Sequence, residues 1–517
     1  MSTTGGELEG GIGVLDFGGQ YSHLICRRVR ALGVYAALLP HDSSVGDLEA
    51  MGVAGVILSG GPASVYSEGA PLADPGVFEG RIPVLGICYG YQLLVKAHGG
   101  DVGKGGRREY GRASVKILDK SELFEGFQGD RLVAWMSHTD SATALPESMQ
   151  VLAASENSPY AAVSYSGAPQ YGVQFHPEVS HTEGGQAILS NFVLGVCGAK
   201  RAWSMEGFKD RSVEDLSKLE GKVLCAVSGG VDSSVTAALM HEALGERLRC
   251  VFIDTGLLRA GEADDVRKFL GEGLGVEVSF VDASLKFIAG LVGVWDPEDK
   301  RRAVGRIFAE VFEEFAEKEG PFAYLAQGTL YPDVIESGRS SGPSSVIKTH
   351  HNVGGLPAGL SMNVVEPLRE LYKDEVRELG GVLKLPRKVL RRHPFPGPGL
   401  AVRVIGEVTE DKLRMAREAS KVVEEVLEEE GVYDKVWQAF AYVGDDRVTG
   451  VLGDERRVGY QVTVKVVESV DAMTADWSRL PTAVLEKIST RITNEVEGVT
   501  AVAYSVSSKP PATIEPQ

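Results

Sequence analysis

The clearest structural signal lies at residues 222–234, which read Lys222-Val-Leu-Cys-Ala-Val-Ser-Gly-Gly-Val-Asp-Ser-Ser234. An apolar run leads into a turn with two glycines, one aspartate and three serines, and residues 235–240 have helix-forming character. Glycines let the backbone approach a ligand closely, and the amide groups at a helix N-terminus bind anions. The stretch therefore predicts a strand, a phosphate-binding loop and a helix, in that order.

This loop is not a Walker A loop, because no Gly-Lys-Ser or Gly-Lys-Thr occurs in the chain. It offers serine hydroxyls to the phosphates in place of a lysine, and Asp232 is placed to hold a magnesium ion on them. The next predicted strand, residues 250–256, carries Asp254 at its carboxyl end. The expected ATP-binding residues are Ser228, Gly229, Gly230, Val231, Asp232, Ser233, Ser234 and Asp254.

The composition narrows the choice of partners. The 517 residues suggest roughly three domains, and 71 acidic against 53 basic residues give a formal charge of -18. Such a surface repels the phosphate backbone of nucleic acids, and the basic clusters at 300–302 and 391–392 are short. We therefore expect no nucleic-acid partner.

The five cysteines include no Cys-x-x-Cys pair, which argues against a disulfide framework and against a zinc ribbon. The first ten residues lack the features of a secretion signal, and no apolar run is long enough to span a bilayer. We expect a cytoplasmic protein with no membrane partner.

Hydrophobic patterns divide the chain into four parts: a flexible tail (1–10), an α/β domain (11–199), a second α/β domain (200–392) and a small α+β domain (393–517). In the first α/β domain, short apolar runs at 11–16, 55–58 and 83–87 are predicted strands of a largely parallel sheet. The second α/β domain ends in His393-Pro-Phe-Pro-Gly-Pro-Gly399, whose prolines and glycines predict a stiff connector.

The last domain has its own periodicities. Thr409 is a predicted helix cap, and Gly431 ends that helix. Apolar residues alternate with polar ones over 460–466, a further helix follows Pro481, and Val502, Tyr504 and Val506 predict a last strand. An uncovered sheet face or edge here would suit a homodimer contact.

A candidate nucleophile follows one of the first domain's strands. In Val84-Leu-Gly-Ile-Cys-Tyr-Gly90 a cysteine stands between two glycines before a helical stretch, which is the arrangement of a nucleophile elbow. The helix N-terminus favours the thiolate of Cys88. The amides of Gly60, in Ser59-Gly-Gly-Pro62, and of Tyr89 are the expected oxyanion donors.

A base and its partner occur in Tyr171-Gly-Val-Gln-Phe-His-Pro-Glu178. Pro177 favours an extended backbone at His176, and extended residues two apart project to the same side. His176 is then the proton carrier, and Glu178 orients its ring. Together with Cys88, these residues predict a cysteine hydrolase triad.

This combination resembles the class I glutamine amidotransferase domain over residues 1 to about 200. The resemblance implies that Cys88, His176 and Glu178 hydrolyse glutamine and release ammonia, and that Gln92, Ser137 and His138 hold the glutamine. The loop at 228–234 resembles that of enzymes that cut ATP between its α and β phosphates. The implied fold is an amidotransferase domain, an ATP pyrophosphatase domain of the adenine nucleotide alpha hydrolase type, and an α+β dimerisation domain.

The order of these parts is similar to the glutamine-dependent GMP synthetase family. Family signatures are found at residues 327–337, 348–352, 393–403, 471–477 and 509–515, and the chain departs from the family's usual ending at Pro516-Gln517. The resemblance implies a carbon-nitrogen ligase in which ATP, with Mg²⁺, adenylates O2 of xanthosine monophosphate (XMP), and ammonia from glutamine then displaces AMP. It also implies a homodimer. The implied XMP-binding residues are Arg301, Asp333, Gln438, Lys509 and Glu515.

Three other readings stay open at this point. An NAD synthetase would share the ATP loop but lacks the segment Lys509-Pro-Pro-Ala-Thr-Ile-Glu515. A tRNA sulfur-transfer enzyme generally carries paired cysteines and a basic face. A glutamine- or nucleotide-sensing regulator would have an inactive hydrolase site, and the complete triad argues against it.

Overall fold

The computed structural model describes residues 8–120, 122–338, 362–452, 455–469 and 474–517, with side chains described for all of these except 105–107, 335–338 and 452. The chain divides into two compact units, Met1–Gly207 and Phe208–Gln517. Part of the predicted tail (1–7), the signature at 348–352 and residues 471–473 of another signature lie outside the described residues. The division of the second unit into two domains stays a prediction.

The first unit is built on a nine-stranded sheet. Its strands are β1 Ile12–Asp16, β2 Ala36–Pro40, β3 Gly55–Leu58, β4 Val84–Ile87, β5 Asp101–Ile117, β6 Arg131–Ala144, β7 Met149–Ser155, β8 Ala162–Tyr165 and β9 Gln170–Val173. The order is β2-β1-β3-β4-β9-β8-β7-β5-β6. The three strands predicted at the start of the chain are confirmed as β1, β3 and β4.

The predicted parallel arrangement holds for only part of this sheet. Strands β2, β1, β3, β4 and β9 run parallel, whereas β8, β7, β5 and β6 are joined by antiparallel pairings. The helices are α1 Ser22–Arg30, α2 Val45–Ala50, α3 Tyr89–Ala97 and α4 Gly185–Ser190, the last continuing as a π-helical turn over Asn191–Val196. Helix α5, Met205–Ser217, spans the boundary between the units.

The second unit begins with a five-stranded parallel sheet in the order β12-β11-β10-β13-β14. The strands are β10 Val223–Ala226, β11 Leu248–Asp254, β12 Val278–Asp282, β13 Tyr324–Ala326 and β14 Asn363–Val365. The accompanying helices are α6 Val231–Leu244, α7 Glu262–Val266, α8 Ser284–Gly290, α9 Pro297–Glu319, α10 Tyr331–Gly338, α11 Lys373–Val382 and α12 Arg387–Leu390. The chain reverses its direction of winding at β10, so ligands are expected at the carboxyl end of that strand.

A third sheet completes the second unit. It contains β15 Gln438–Leu452, β16 Glu455–Glu468, β17 Asp476–Trp477 and β18 Val499–Tyr504. Helices α13 Glu410–Glu429 and α14 Thr482–Glu495 pack on it. Strand β16 pairs antiparallel with β15 and β17 and parallel with β18.

Local signals in this last region are largely confirmed. The Thr409 side chain accepts a hydrogen bond from the amide of Lys412, and α13 ends just before Gly431, whose φ is 64°. The predicted last strand is too long by two residues, because β18 ends at Tyr504 and Val506 is exposed. Among the described residues, no helix is both long and apolar enough to cross a bilayer.

Candidate active sites

Cys88 occupies the elbow that the sequence predicted. It caps the N-terminus of α3 with φ 52° and ψ -101°, a backbone conformation that residues other than glycine rarely adopt. Its amide donates to the carbonyl of Val173 at 2.8 Å, which ties the elbow to the end of β9. The strained turn therefore holds the thiol at the carboxyl ends of β4 and β9.

Both glycines that flank Cys88 are required by close packing. A Cβ at Gly86 would lie 2.5 Å from the carbonyl oxygen of Gly90. A Cβ at Gly90 would lie 2.4 Å from both Cβ and the carbonyl oxygen of Leu58. The elbow packs on itself at Gly86 and on the end of β3 at Gly90, so closely that no side chain fits at either position.

Gly90→Ala is expected to lower the free energy of unfolding by about 1–3 kcal/mol, because the backbone of β3 must move to admit the methyl group. Gly195→Ala is the matched control, since a Cβ there meets nothing within 4 Å. Thermal unfolding of the full chain measures both effects. Equal stability of the two variants would contradict the packing argument.

His176 and Glu178 are brought together as predicted, but not by an extended backbone. Strand β9 ends at Val173, and Pro177 and Glu178 lie in a turn. Nδ1 of His176 lies 2.7 Å from Oε1 of the fully buried Glu178. The prediction of the contact is therefore confirmed, whereas the prediction that alternation along a strand produces it is wrong.

Hydrogen bonds from three directions hold this turn. The His176 amide donates to the carbonyl of Trp135 at 3.0 Å, and the Thr182 hydroxyl donates to the carbonyl of His176 at 2.6 Å. Nε of Arg28 donates to the carbonyl of Glu178 at 2.8 Å. The positions of both side chains thus depend on β6 and α1, which are distant in sequence.

The charge of His176 is set by its neighbours. Burial alone would lower the pKa of the ring, but the negative charges of Glu178 and Cys88 and hydrogen bonds with both raise that pKa well above its usual value. A raised pKa favours the imidazolium, which can stabilise a thiolate and later return a proton. The stability that this interaction contributes is fully present below the unfolded pKa of about 6.5 and is lost as pH rises through the raised value.

Glu178→Gln is expected to lower the pKa of His176, because the largest favourable charge is removed and burial remains. A titration of the His176 ring followed by NMR measures the shift. Glu183→Gln is the control, since Glu183 is exposed and bonds the amide of Val133. An unchanged His176 pKa in the Glu178 variant would contradict this account.

The two predicted oxyanion donors border the nucleophile. A Cβ at Gly60 would lie 3.0 Å from Cε1 of His176 and 3.7 Å from Cβ of Cys88. The ring of Tyr89 packs on Phe17, and its hydroxyl donates to the carbonyl of Pro71 at 2.7 Å. Because the amide of Cys88 is already bonded, an oxyanion must find its donors on neighbouring residues such as these.

The predicted glutamine-binding residues have different surroundings. The carbonyl oxygen of Ser137 lies 3.8 Å from Sγ of Cys88. The buried side-chain amide of Gln92 donates to the backbone carbonyl of Asp140 at 2.8 Å, so it is hydrogen-bonded to β6. His138 is buried beside Glu109, and Nε2 of its ring lies 3.3 Å from Oε2 of that glutamate.

The second site is the loop between β10 and α6. Gly229 has φ 76°, and a Cβ there would lie 2.9 Å from Cγ of Glu262. The Ser228 amide donates to Oγ of Ser233 at 3.2 Å, and the two hydroxyl oxygens are 3.1 Å apart. The predicted serines therefore shape the loop as well as offering hydroxyls, and the backbone of Gly230 and Val231 begins α6. Oδ1 of Asp254 accepts from the amide of Gly256 at 2.9 Å, at the end of β11.

Two basic residues at this loop were not predicted. Nζ of Lys373, the first residue of α11, lies 3.4 Å from Oδ2 of Asp232. Nη1 of Arg392 donates to the carbonyl of Gly229 at 2.9 Å, and its guanidinium also contacts Asp265. Lys373 thus places a positive charge beside a loop that has no Walker lysine, and it comes from a different part of the chain. No local sequence signal distinguishes either residue from a surface cation.

Three of the residues implied for XMP binding are connected through the segment 509–517. Glu515 accepts two hydrogen bonds of 3.0 Å from the buried Arg403, and Nε2 of Gln438 donates to it at 2.6 Å. Nη2 of Arg301 donates to the carbonyl of Gln517 at 2.7 Å. The structure thus brings Arg301, Gln438 and Glu515 to one region of the second unit.

The other two residues of this set have local roles in the backbone. Oδ2 of Asp333 accepts from the amide of Leu330 at the start of α10, at 3.0 Å. Lys509 exchanges backbone hydrogen bonds with Ala475.

Lys300, a neighbour of Arg301, is fully buried. It donates to the carbonyl of Val404 at 2.7 Å and to Oε1 of Gln517 at 2.5 Å. Burial is the main cause that lowers the pKa of Lys300 to about 8, and the positive charge of Lys412 lowers it further.

The N-terminal and C-terminal parts of the chain each match a known protein family. Residues 13–196 match the model of the class-I glutamine amidotransferases, and residues 425–516 match that of the GMP synthase C terminal domain. A GMP synthase (glutamine-hydrolyzing) of Wolinella succinogenes is 52% identical over 509 residues, which cover 97% of each chain. One of Aquifex aeolicus is 51% identical, covering 97% of this chain and 98% of its own. The chain belongs to the glutamine-hydrolysing GMP synthase family.

Membership in the GMP synthase family accounts for the part between these matches. Residues 221–267 match a model described as the tRNA methyl transferase HUP domain, which covers the loop and β11. Because GMP synthases match over nearly the full length, the HUP match indicates the fold of this part, and the tRNA-enzyme reading is set aside. The interpretation as an NAD synthetase is also set aside, because the relatives that match over nearly the full length are GMP synthases. A solved glutamine amidotransferase of Thermotoga maritima is 22% identical, with a TM-score of 0.27, over 40% of this chain and 84% of its own.

Proposed function

We propose that this chain synthesises GMP from XMP, ATP and glutamine, with glutamine hydrolysed in the first unit and XMP adenylated in the second. The observation that carries the proposal is the joint presence of a complete Cys88, His176 and Glu178 constellation and a pyrophosphate loop in a chain of this family. A sensing protein with an inactive hydrolase site would not need the strained cysteine or the buried charge pair.

In the first unit, the thiolate of Cys88 attacks the side-chain amide carbon of glutamine. His176, kept as an imidazolium by Glu178, donates its proton to the leaving nitrogen, and the C–N bond breaks to release ammonia. His176 then takes a proton from the water that attacks the thioester, the C–S bond breaks, and glutamic acid leaves, which restores the Cys88 thiolate and the His176 imidazolium. Amides at Gly60 and Tyr89 are the donors proposed for the oxyanion.

In the second unit, the amides at the start of α6 and the hydroxyls of Ser228, Ser233 and Ser234 bind the phosphates of ATP. O2 of XMP attacks the α-phosphorus, and pyrophosphate leaves. This converts a poor leaving group into AMP, which ammonia displaces at C2. Lys373 and the helix dipole of α6 stabilise the charge on the departing pyrophosphate.

Asp232 fits the role of a magnesium ligand. Its Oδ1 atom is buried and has no hydrogen-bond partner in the described part of the chain. Among the described residues, no group of three or more His, Cys, Asp or Glu side chains could hold a metal ion. A single carboxylate together with substrate phosphates is a common way to bind Mg²⁺. When bound, the ion would neutralise charge on the pyrophosphate.

Two further features belong to this proposal. We expect a homodimer, and exposed Val451 and Val458 on the β15-β16 hairpin are apolar side chains that a second copy could cover. We also expect a cytoplasmic location, where the substrates occur.

The test is to incubate the protein with Mg-ATP, XMP and either glutamine or an ammonium salt, and to measure GMP, AMP, ADP and glutamate together. We expect GMP and AMP in equal amounts from both nitrogen donors, with glutamate only from glutamine. Formation of ADP in place of AMP, or no GMP from either donor, would overturn the proposal.

A further inference from the structure

Glu109 and His138 form a buried polar pair next to the segment that borders Cys88. They are direct cross-strand partners on β5 and β6, and each is only 6% exposed. Nε2 of His138 lies 3.3 Å from Oε2 of Glu109, but the two atoms are not aligned for a hydrogen bond. Buried charges are costly unless they are paired, so this position needs an explanation.

Glu109 is held by groups from a second part of the chain. The hydroxyl of Ser155 donates to both its oxygens, at 3.0 and 3.2 Å. The hydroxyl of Ser158 donates to Oε2 of Glu109 at 2.9 Å, and the side-chain amide of Asn157 donates to Oε1 at 3.4 Å. Burial alone would raise the pKa of Glu109, but its interactions with His138, Ser158 and Ser155 outweigh burial and hold the pKa below its usual value. Glu109 is therefore a fixed anion.

This anion acts on the segment that borders Cys88. The residue before His138 is Ser137, whose carbonyl oxygen is 3.8 Å from Sγ of Cys88. Two residues further along β6, the carboxylate of Asp140 accepts from the hydroxyls of Ser64 and Tyr66. The segment 137–140 is thus anchored at His138 and at Asp140, on either side of Thr139.

The pairing also defines the orientation of the His138 ring. Glu109 faces Nε2 of that ring. Nδ1 is also buried and has no hydrogen-bond partner within the described residues. The ring is therefore positioned by its contact with Glu109.

We propose that Glu109 is a positioning residue for glutamine, which orients His138 and holds Ser137 and His138 of β6 at the binding site of Cys88. The proposal rests on glutamine hydrolysis at Cys88. Glu109 touches none of the three triad residues in the contacts described here, so it acts on substrate binding more than on bond cleavage.

The test is Glu109→Gln in the full chain, with steady-state glutamine hydrolysis measured in the presence of Mg-ATP and XMP. We expect KM for glutamine to rise about 10- to 100-fold, the size of a lost hydrogen bond to a buried charge, while kcat changes less than about threefold. Glu156→Gln is the matched control, because Glu156 is exposed and lies between Ser155 and Asn157. It should leave both constants unchanged.

Two further measurements separate positioning from a purely structural role. Ammonium-driven GMP synthesis reports on the second unit and should be unchanged in Glu109→Gln. Ser158→Ala keeps the carboxylate, removes one donor to it and is expected to raise KM about 3- to 10-fold, which provides a milder variant if Glu109→Gln does not fold.

An unchanged KM for glutamine in both variants would overturn the proposal. A lower kcat at constant KM would also overturn it, because it would mean only that a smaller fraction of the protein is folded and active. Absence of glutamine hydrolysis by the unmodified chain would instead refute the proposed function.

Discussion

The Cys88→Ala variant is expected to lose glutamine-driven GMP formation by at least about 10⁴-fold, since no other group can form the thioester. GMP formation from an ammonium salt should stay within about twofold of the unmodified chain, because the loop proposed to bind ATP lies in the other unit. The measurement is GMP production at saturating Mg-ATP and XMP with each nitrogen donor in turn.

Cys197→Ala provides the control for this experiment. Burial raises the pKa of the Cys197 thiol, which favours its protonated form and makes it a poor nucleophile. Both donors should support normal synthesis in the Cys197 variant. Loss of both activities in the Cys88 variant would show that the two chemistries are not separable and would refute the division of labour between the units.

Asp232→Asn is expected to have the complementary effect. If Asp232 is the proposed magnesium ligand, its removal weakens magnesium binding and also leaves Lys373 without this partner, so GMP formation should fall on the order of 10²- to 10³-fold with either donor. Asparagine keeps the size of the side chain, which limits any change in packing. GMP formation from glutamine and from ammonium, measured across a range of magnesium concentrations, tests this expectation.

Asp282→Asn is the matched control, because Asp282 is exposed at the carboxyl end of the edge strand β12 and bonds only Ser284 in the contacts described. Normal synthesis from ammonium by the Asp232 variant would remove the basis for a metal ligand at this position. A fall restricted to the glutamine reaction would also contradict it, since the proposed adenylation would precede the use of either donor.

The two main sites could be predicted because each is encoded by a short stretch of adjacent residues. The loop at 228–234 and the elbow at 84–90 combine a buried strand, glycines at close approaches and a helix that follows at once. Such geometry depends on the backbone of neighbouring residues. The sequence therefore predicted Cys88 and Asp232 at their observed places, between a strand and a helix.

The reason for the His176–Glu178 contact could not be predicted in the same way. The bias of Pro177 towards an extended backbone at His176 suggested that the two side chains project to the same side, whereas the backbone turns after β9. That turn is held by Thr182, Trp135 and Arg28, so its shape depends on residues that are brought near only by folding.

The sequence alone indicated the class of fold, the order of its parts, the candidate nucleophile, the candidate phosphate loop and the family signatures, since all of these depend on local pattern. Only the tertiary structure assigned partners to isolated charges. Glu109 follows Arg108 in the chain as an ordinary charged residue, and Lys373 and Arg392 look like surface cations. Their roles depend on the register of β5 with β6 and on how α11 and the segment after α12 approach the loop. Electrostatic interactions depend on distance in space, and that distance is decided by packing between segments far apart in the chain.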